Sequence, residues 1–273
     1  MDNTITIGDV QIKRDGGLFL TAGPCVIESL AGCLDIAGRL AEIGEKTAVG
    51  VIFKASFDKA NRSSISSFRG PGLAEGLEIL AQVRIKTGLP VMTDVHESDQ
   101  PRQAGEVVDC LQIPAFLCRQ TDLLVACAET GKPVSVKKGQ FLSPGEMGNV
   151  VDKIRAAGND RIILTERGTF FGYNRLVNDM TAIAEMQRLG CPVVFDATHS
   201  TQRPGGSGTT SGGNREMAPV LAKAAVAAGA DGLFLEVHPE PDKAKSDAAC
   251  IMPIDWTEKL LADCKRIYEI VRS

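Results

Sequence analysis

Long apolar runs are missing from this sequence. No segment approaches the roughly 18–20 uninterrupted apolar residues that a membrane-spanning helix needs. The first ten residues, MDNTITIGDV, also lack a basic region followed by an apolar one, which is the pattern of an export signal. We therefore expect a soluble, cytoplasmic protein that is not exported and does not act at a membrane.

An excess of positive charge is missing as well. The chain has 30 lysines and arginines against 34 aspartates and glutamates, so its formal net charge is −4, and its pI is about 5.5. Proteins that bind nucleic acids or anionic membranes usually present a basic surface. The charge balance therefore argues against either one as the main partner.

Paired cysteines are a third absence. The eight cysteines are scattered, none forms a CxxC pair, and a chain of 273 residues is too large to need disulfide staples. We expect most of them to be reduced thiols in the core. They are Cys25, Cys33, Cys110, Cys118, Cys127, Cys191, Cys250 and Cys264.

What the sequence does contain is a repeated alternation of short apolar runs and helix-like segments. Each run lacks polar alternation, which is typical of a parallel strand covered on both faces. In each following segment the apolar residues recur three and four positions apart, as on one face of a helix. The eight runs are Leu18–Ala22, Val51–Ala55, Val91–Asp94, Leu111–Ile113, Val134–Lys137, Ile162–Thr165, Pro192–Phe195 and Gly232–Glu236.

Eight such units without an intervening linker predict a single α/β domain over residues 1–273, a (β/α)8 barrel. An open, doubly wound sheet would also alternate strands and helices, and it is the number of units that favours closure. Residues 4–13, TITIGDVQIK, alternate on both sides of Gly8 and Asp9. This pattern predicts an N-terminal β-hairpin that plugs one end of the barrel.

Four potential metal ligands lie at or beyond the predicted strand ends. Cys25 follows the first strand, His199 follows the seventh, Glu236 closes the eighth, and Asp247 lies in the loop after it. In a closed barrel the eighth strand lies beside the first, so these side chains would converge. A thiolate, an imidazole and two carboxylates suit a borderline divalent ion such as Zn²⁺, Fe²⁺, Mn²⁺ or Co²⁺.

Each of these residues, taken singly, also has a structural interpretation. Free cysteine is often buried, so Cys25 alone is better explained as a core thiol. His199 alone is explained as well by a hydrogen-bonded structural role as by catalysis. His238 and His96 are rival ligands that rank below His199.

Cations collect at the same predicted end of the barrel. In an acidic protein, so many cations on one face favour the binding of a multiply anionic ligand, although lysines and arginines also simply populate loops. We assign Lys138 to that ordinary loop population. A lysine at a strand end could instead form a Schiff base, as in an aldolase, which is the main mechanistic alternative. The candidate anion-binding cations are Lys54, Lys59, Arg62, Arg119, Lys137 and Arg167.

A glycine-rich loop, RPGGSGTTSGG, covers Arg203–Gly213 after the seventh strand. It lacks the GK[ST] ending of a P-loop, and its glycines match no GxGxxG fingerprint. A phosphate cradle is therefore a weak interpretation. A lid over the strand ends fits the loop better, with plain disorder as the alternative.

Several segments, in this order, resemble those of the 3-deoxy-D-manno-octulosonate 8-phosphate synthases. The resemblance extends from about Leu18 to Trp256. It implies a homotetrameric (β/α)8 enzyme that condenses phosphoenolpyruvate with D-arabinose 5-phosphate and releases phosphate, for lipopolysaccharide synthesis. The segments are KASFDKANRSS (54–64), QIPAFLCRQTDLL (112–124), KKGQF (137–141), TERG (165–168), FDATHS (195–200) and EVHPEP (236–241).

The resemblance also implies roles for individual residues. It places phosphoenolpyruvate among Lys59, Gln112, Lys137 and Arg167. It assigns the pentose phosphate to a second set, and it has Arg119 reach a phosphate across a subunit boundary. Asp196, His199 and Asp247 become candidates for moving protons or orienting ligands, alongside the catalytic cations Lys59 and Lys137. The pentose set is Lys54, Asn61, Arg62, Ser63 and Asp94.

Two features of the resemblance concern the metal. The family has a metal-dependent branch with cysteine in the first-strand loop and a metal-independent branch with asparagine there, and this chain has Cys25. Ala248 follows Asp247, where the metal-independent branch carries a CDGPS run. Both features indicate the metal-dependent branch.

Two other classes of protein remain open as alternatives. The related 3-deoxy-D-arabino-heptulosonate 7-phosphate synthases use erythrose 4-phosphate and carry a KPRTS-like segment where this chain has KANRSS. That difference favours the pentose. A sugar-phosphate sensor that binds without turnover is the alternative outside enzymology, and the convergent metal ligands argue against it.

Overall fold

Eight parallel strands alternate with eight helices in the structure, a computed structural model that describes residues 4–14, 16–62, 64–170, 174–207 and 210–273. The strands are β1 (Phe19–Gly23), β2 (Gly50–Lys54), β3 (Val91–Asp94), β4 (Cys110–Ile113), β5 (Val134–Lys137), β6 (Ile162–Glu166), β7 (Val193–Asp196) and β8 (Gly232–His238). The helices are α1 (Leu30–Thr47), α2 (Leu73–Thr87), α3 (Gln100–Val107), α4 (Thr121–Glu129), α5 (Met147–Ala156), α6 (Thr181–Gln187), α7 (Ala218–Ala227) and α8 (Thr257–Val271).

The sheet closes on itself. Each strand pairs in parallel with the next from β1 to β8, and β8 then pairs with β1. Leu233 of β8 lies opposite Phe195 of β7 on one side and Leu20 of β1 on the other. The predicted (β/α)8 barrel is therefore confirmed.

The strands lack polar alternation because both of their faces are covered. Apart from Gly50 and His238, every strand residue is buried. The outward side chains pack against the helices in the larger apolar cluster. Helix boundaries follow local sequence: Ser29 caps α1 by accepting a hydrogen bond from the N–H of Gly32 at 3.1 Å. Pro101 lies in the first turn of α3, where its missing N–H costs no helix hydrogen bond.

The amino end of the barrel is closed by the predicted hairpin, whose strands are Ile5–Ile7 and Val10–Ile12. The four apolar side chains of the hairpin are buried, while Thr6 and Gln11 between them are exposed. They join a second apolar cluster with barrel residues Phe19, Ile52, Met92, Cys110, Ile163, Val194 and Phe234. None of the described helices is both long and apolar enough to cross a membrane.

The loops at the carboxyl end carry short pairings of their own. Thr169–Phe170 pairs with Leu176–Val177 after β6, and Gln202–Ser207 pairs with Thr210–Gly213 after β7. The second of these holds most of the glycine-rich loop in an antiparallel ladder. Only glycine fits at position 213, because a Cβ there would lie 2.1 Å from the sulfur of Cys250.

Candidate active site

Polar side chains line the barrel interior next to the second apolar cluster, two residues further towards the carboxyl ends of the strands. Residues two apart on a strand face the same side. On seven strands, a member of the apolar cluster is followed two positions later by a buried polar residue nearer the carboxyl end. The pairs are Phe19 and Thr21, Ile52 and Lys54, Met92 and Asp94, Cys110 and Gln112, Ile163 and Thr165, Val194 and Asp196, and Phe234 and Glu236.

Three of the four predicted metal ligands come together. Donor atoms of Cys25, Glu236 and Asp247 all lie within 4.8 Å of one another. The pairing of β8 with β1 explains this, since Glu236 lies opposite Gly23 and Cys25 follows two residues later. The Cys25 thiol donates to Asp247 Oδ2 at 3.3 Å. Asp247 has a φ of 48°, a conformation that L residues adopt only when their surroundings hold them in it.

Glu236 gives this group a feature expected of a cation site. Its side chain is buried, yet neither carboxylate oxygen has a hydrogen-bond partner within the described part of the chain. Lys59 Nζ lies 3.8 Å from Oε1, and Nε2 of the His199 ring lies 3.5 Å from Oε2. A buried carboxylate without hydrogen bonds is costly unless a positive group compensates it. A thiol and two carboxylates are a donor set that borderline divalent ions accept.

The protonation of Cys25 depends on such an ion. Burial, together with the negative charges of Glu236 and Asp247, raises the pKa of the Cys25 thiol well above its usual value. Without a cation the sulfur is therefore a neutral thiol. A bound divalent ion reverses this, because a coordinating thiol loses its proton.

His199 lies beside the three donors and is oriented by Asp196. Its Nδ1 is 2.7 Å from Asp196 Oδ2, and its backbone N–H donates to Oδ1 of the same carboxylate at 2.9 Å. The other ring nitrogen faces Glu236. A carboxylate that holds one nitrogen and leaves the other free is the usual support of a metal-binding histidine.

The rival histidines are engaged elsewhere. His96 Nε2 lies 3.0 Å from Asp94 Oδ2, and His238 Nδ1 accepts from the N–H of Glu240 at 2.9 Å.

Two buried lysines are paired with acids of other strands. Lys54 Nζ lies 3.1 Å from Asp94 Oδ1, and Lys137 Nζ lies 2.6 Å from Asp196 Oδ2 and 3.5 Å from the centre of the Phe234 ring. Burial alone would raise the pKa of Asp94, but Lys54 and His96 outweigh it and hold that pKa well below its usual value. Burial also opposes ionisation of Asp196, but His199 and Lys137 outweigh it and lower the pKa of that carboxyl. Both acids are thus ionised, and both lysines are held in place.

Two neighbouring polar groups lack such partners. Arg167 donates through NH2 to Gln202 Oε1 at 2.5 Å, while its buried NH1 has no hydrogen-bond partner among the residues described. Gln112 is also buried, and its Oε1 is likewise without a partner in those ranges. Burial of Arg167 lowers the pKa of its guanidinium. These groups are available to a ligand.

The remaining predicted residues are placed less centrally. Arg62 donates to Ser246 Oγ at 2.6 Å and to the Lys245 carbonyl at 2.9 Å, so it is tied to the loop that carries Asp247. Asn61 is exposed, and Ser63 lies outside the described residues. Arg119 is exposed and lines a separate cavity of about 270 Å³ with Leu142, Glu146, Asn149, Val150 and Lys153.

Lys138 differs from its expected role as an ordinary loop lysine. It is 0% exposed, lies 3.6 Å from Glu166, and donates to the carbonyls of Leu142 and Gly168 at 3.2 and 3.5 Å. It therefore ties the loop after β5 to the loop after β6. A lysine pair at a strand end does not reveal which of the two points inward.

Two site residues were missed from the sequence. Ser56 accepts from Lys54 and Lys59 at 2.7 and 3.1 Å and donates to Asp94 at 2.5 Å. Gln202 connects Arg167 with Asp247. Neither carries charge or belongs to a recognisable spacing, and only the assembled loops reveal these contacts.

A family model and several known proteins match this chain over nearly its whole length. The model of the DAHP synthetase I family matches residues 2–271. A protein of Syntrophotalea carbinolica is 56% identical over 273 residues, covering 100% of this chain and 99% of its own. One of Geobacter metallireducens is 57% identical over 272 residues, covering 100% of both chains. One of Protochlamydia amoebophila is 54% identical over 269 residues, 98% of each. All three are named 2-dehydro-3-deoxyphosphooctonate aldolase.

Proposed function

The chain belongs to the DAHP synthetase I family, and from this premise we propose that it condenses phosphoenolpyruvate with D-arabinose 5-phosphate and water. The products are 3-deoxy-D-manno-octulosonate 8-phosphate, a precursor of lipopolysaccharide, and inorganic phosphate. The observation that carries the proposal is the carboxyl end of the barrel, where buried cations lie beside a thiol and two carboxylates. Two anionic substrates and a divalent ion need that combination.

Phosphoenolpyruvate binds among Lys59, Lys137, Arg167 and Gln112 in this proposal. Arg167 NH1, which has no hydrogen-bond partner among the described residues, and the buried Lys137 are suited to its carboxylate and phosphate. Holding the enol next to the aldehyde makes the encounter effectively intramolecular.

The pentose phosphate binds on the side of Lys54 and Asp94, the ion pair between β2 and β3. Arg119 completes a phosphate site across a subunit boundary in a homotetramer, which agrees with its exposure in the single chain. The full pentose set is Lys54, Asn61, Arg62, Ser63, Asp94 and Arg119.

A divalent ion, one of Zn²⁺, Fe²⁺, Mn²⁺ or Co²⁺, is held by Cys25, Glu236 and Asp247, with His199 as the fourth ligand. The two oxygens of Glu236, which have no hydrogen-bond partner within the described residues, support this assignment. When bound, such an ion polarises a carbonyl oxygen or acidifies a water molecule. No change of oxidation state is required by the reaction.

The bond changes need two proton transfers. A C–C bond forms between C3 of the enol and the aldehyde carbon, water oxygen bonds to C2, and the bond between C2 and the phosphate oxygen breaks. One proton of the water ends on the former aldehyde oxygen, and the other leaves with phosphate. Asp196 and His199, hydrogen-bonded at 2.7 Å, together with Asp247, are the groups placed to accept and return these protons.

Phosphate release tests this function. The purified, metal-loaded protein is incubated with phosphoenolpyruvate and either D-arabinose 5-phosphate, D-erythrose 4-phosphate or no sugar. We expect release with the pentose phosphate and far slower release in the other two reactions. Absence of release with every sugar would contradict an enzymatic role and favour a sensor.

Faster release with the tetrose would instead favour a 3-deoxy-D-arabino-heptulosonate 7-phosphate synthase, which the description of the family model also names. Borohydride trapping separates the Schiff-base alternative. Covalent labelling of Lys54, Lys59 or Lys137 by a carbonyl substrate would support it.

A further inference from the structure

Gln202 forms a bridge between two parts of the site that otherwise look independent. It lies after β7, where the chain turns into the antiparallel ladder. Its Oε1 accepts from Arg167 NH2 at 2.5 Å, and its Nε2 donates to Asp247 Oδ1 at 3.1 Å. Both ends of the carboxamide are thus used, each by an ionisable side chain.

Each partner of Gln202 has a second atom directed towards a ligand site. On Arg167 this atom is NH1, which is buried and has no hydrogen-bond partner in the described ranges. On Asp247 it is Oδ2, which accepts from the Cys25 thiol at 3.3 Å and belongs to the three-residue donor group. Gln202 therefore stands between an anion-binding cation and the proposed cation ligands.

We propose that Gln202 is a positioning residue that couples binding of an anionic substrate at Arg167 to binding of a divalent cation by Cys25, Glu236 and Asp247. The inference rests on the proposed function, because it takes phosphoenolpyruvate as the anion. An anion on Arg167 NH1 fixes the guanidinium, which fixes the carboxamide and so directs Asp247 Oδ2 towards the other donors. The second ligand then meets a site that is already ordered and binds more tightly.

Coupling of this kind is reciprocal, so either ligand strengthens the binding of the other by the same factor. An anion and a cation in one cleft also attract each other directly. That attraction persists without Gln202. The part of the coupling that depends on Gln202 is the part that is lost when its carboxamide is removed.

The experiment measures Mn²⁺ affinity by calorimetry on the metal-free full chain, with and without saturating phosphoenolpyruvate, so no turnover is involved. For the unsubstituted protein we expect phosphoenolpyruvate to tighten Mn²⁺ binding by about fivefold or more. In Gln202→Leu the tightening should shrink by at least about threefold. Gln202→Glu keeps an acceptor for Arg167 but has no N–H for Asp247, so its tightening should shrink as well.

Gln187→Leu is the matched control. Gln187 is buried, whereas Gln202 is partly buried, and the Nε2 of Gln187 likewise donates to a carboxylate, Asp231 Oδ2, at 2.9 Å. That contact lies before β8, at the opposite end of the barrel, so the substitution should leave the tightening unchanged even if it lowers stability. Loss of coupling in this variant would overturn a specific role for Gln202.

The possible results distinguish failure of the coupling through Gln202 from failure of the proposed function. Equal tightening in the unsubstituted protein and Gln202→Leu, with both ligands still bound, would overturn the coupling alone. An unsubstituted protein that binds neither Mn²⁺ nor phosphoenolpyruvate would overturn the proposed function together with the coupling.

Discussion

The two ends of the barrel interior are built on the same strands from opposite chemistry. At the amino end, Ile52, Met92 and Phe234 join the hairpin in an apolar cluster. Two residues further along the same strands, Lys54 and Glu236 are buried with charge. One pleat, about 7 Å along a strand, thus separates a region that stabilises the fold from one that binds ligands.

The two ends of the barrel interior contribute differently to the stability of the fold. Burying apolar surface at the hairpin end is favourable, by about 25 cal/mol per Å². Burying an ion pair such as Lys137 with Asp196 is often neutral or unfavourable compared with apolar residues of the same size. We therefore expect the charges at the carboxyl end to serve binding and chemistry. The apolar cluster at the amino end stabilises the strands that hold these charged side chains in position.

Metal removal should produce the largest contrast between the two ends. Exhaustive chelation should reduce phosphate release to background, because it removes the charge that compensates Glu236 and Asp247. The hairpin end contributes no donor to this group, so the barrel should remain folded by circular dichroism. Activity should return to differing degrees with Mn²⁺, Fe²⁺, Co²⁺ or Zn²⁺.

Full activity after chelation, with metal content verified as absent, would contradict the metal assignment. Loss of the circular dichroism signal would contradict the separation of the two ends, since the metal would then be part of the fold.

Arg167→Met should have the next largest effect, again confined to the carboxyl end. Removing this donor should lower kcat/KM by about 10²–10³-fold, as expected for a group that stabilises developing or bound negative charge. The midpoint of urea unfolding should change little, because the lost bond from Arg167 NH2 to Gln202 is offset by removal of a buried charge whose NH1 has no partner in the described ranges.

Arg102→Met is the control, since Arg102 is exposed on α3 and should change neither quantity. A fall in stability of Arg167→Met with unchanged kcat/KM would assign Arg167 to the scaffold instead.

The contrast between the ends also explains what the sequence could reveal. Runs without polar alternation were enough to predict parallel strands covered on both faces, and the number of runs, eight, favoured closure. Charged residues that end such runs, for example Lys54 and Glu236, stood out for the same reason. Ser56 and Gln202 did not, because their contacts depend on how loops from different strands meet. Lys138 was misjudged, since its burial depends on the loop after β6.

Ile12→Ala tests the amino end. The side chain is 1% exposed in the plug, so truncation should lower the free energy of unfolding by about 2 kcal/mol or more. The kinetic constants of the folded enzyme should be unchanged, because the charged layer is untouched. Urea unfolding and steady-state kinetics at low temperature give the two readouts.

Gln11→Ala is the neighbouring control, exposed on the same hairpin strand, and should change stability by no more than about 0.5 kcal/mol. An Ile12→Ala enzyme with unchanged stability but impaired catalysis would contradict the interpretation that the amino end stabilises the fold and the carboxyl end binds ligands.

Cys25→Asn should have a moderate effect, because the metal-independent branch that this sequence resembles carries asparagine there. Replacing a thiolate by a neutral amide removes one negative ligand, so metal affinity should weaken by about tenfold or more. Some turnover should remain. Metal content by elemental analysis after dialysis is the direct readout, and unchanged content would count against Cys25 as a ligand.

Arg62→Ala should have the smallest effect, and it tests whether Arg62 belongs to the pentose phosphate site. Arg62 is half-buried and bonded to Ser246 and the Lys245 carbonyl, so its contribution to a sugar phosphate competes with these contacts. We expect the KM for D-arabinose 5-phosphate to rise by about fivefold or more, as for loss of one charged hydrogen bond. The KM for phosphoenolpyruvate should rise less. Equal increases would move Arg62 out of the pentose site and make it a support for the loop that carries Asp247.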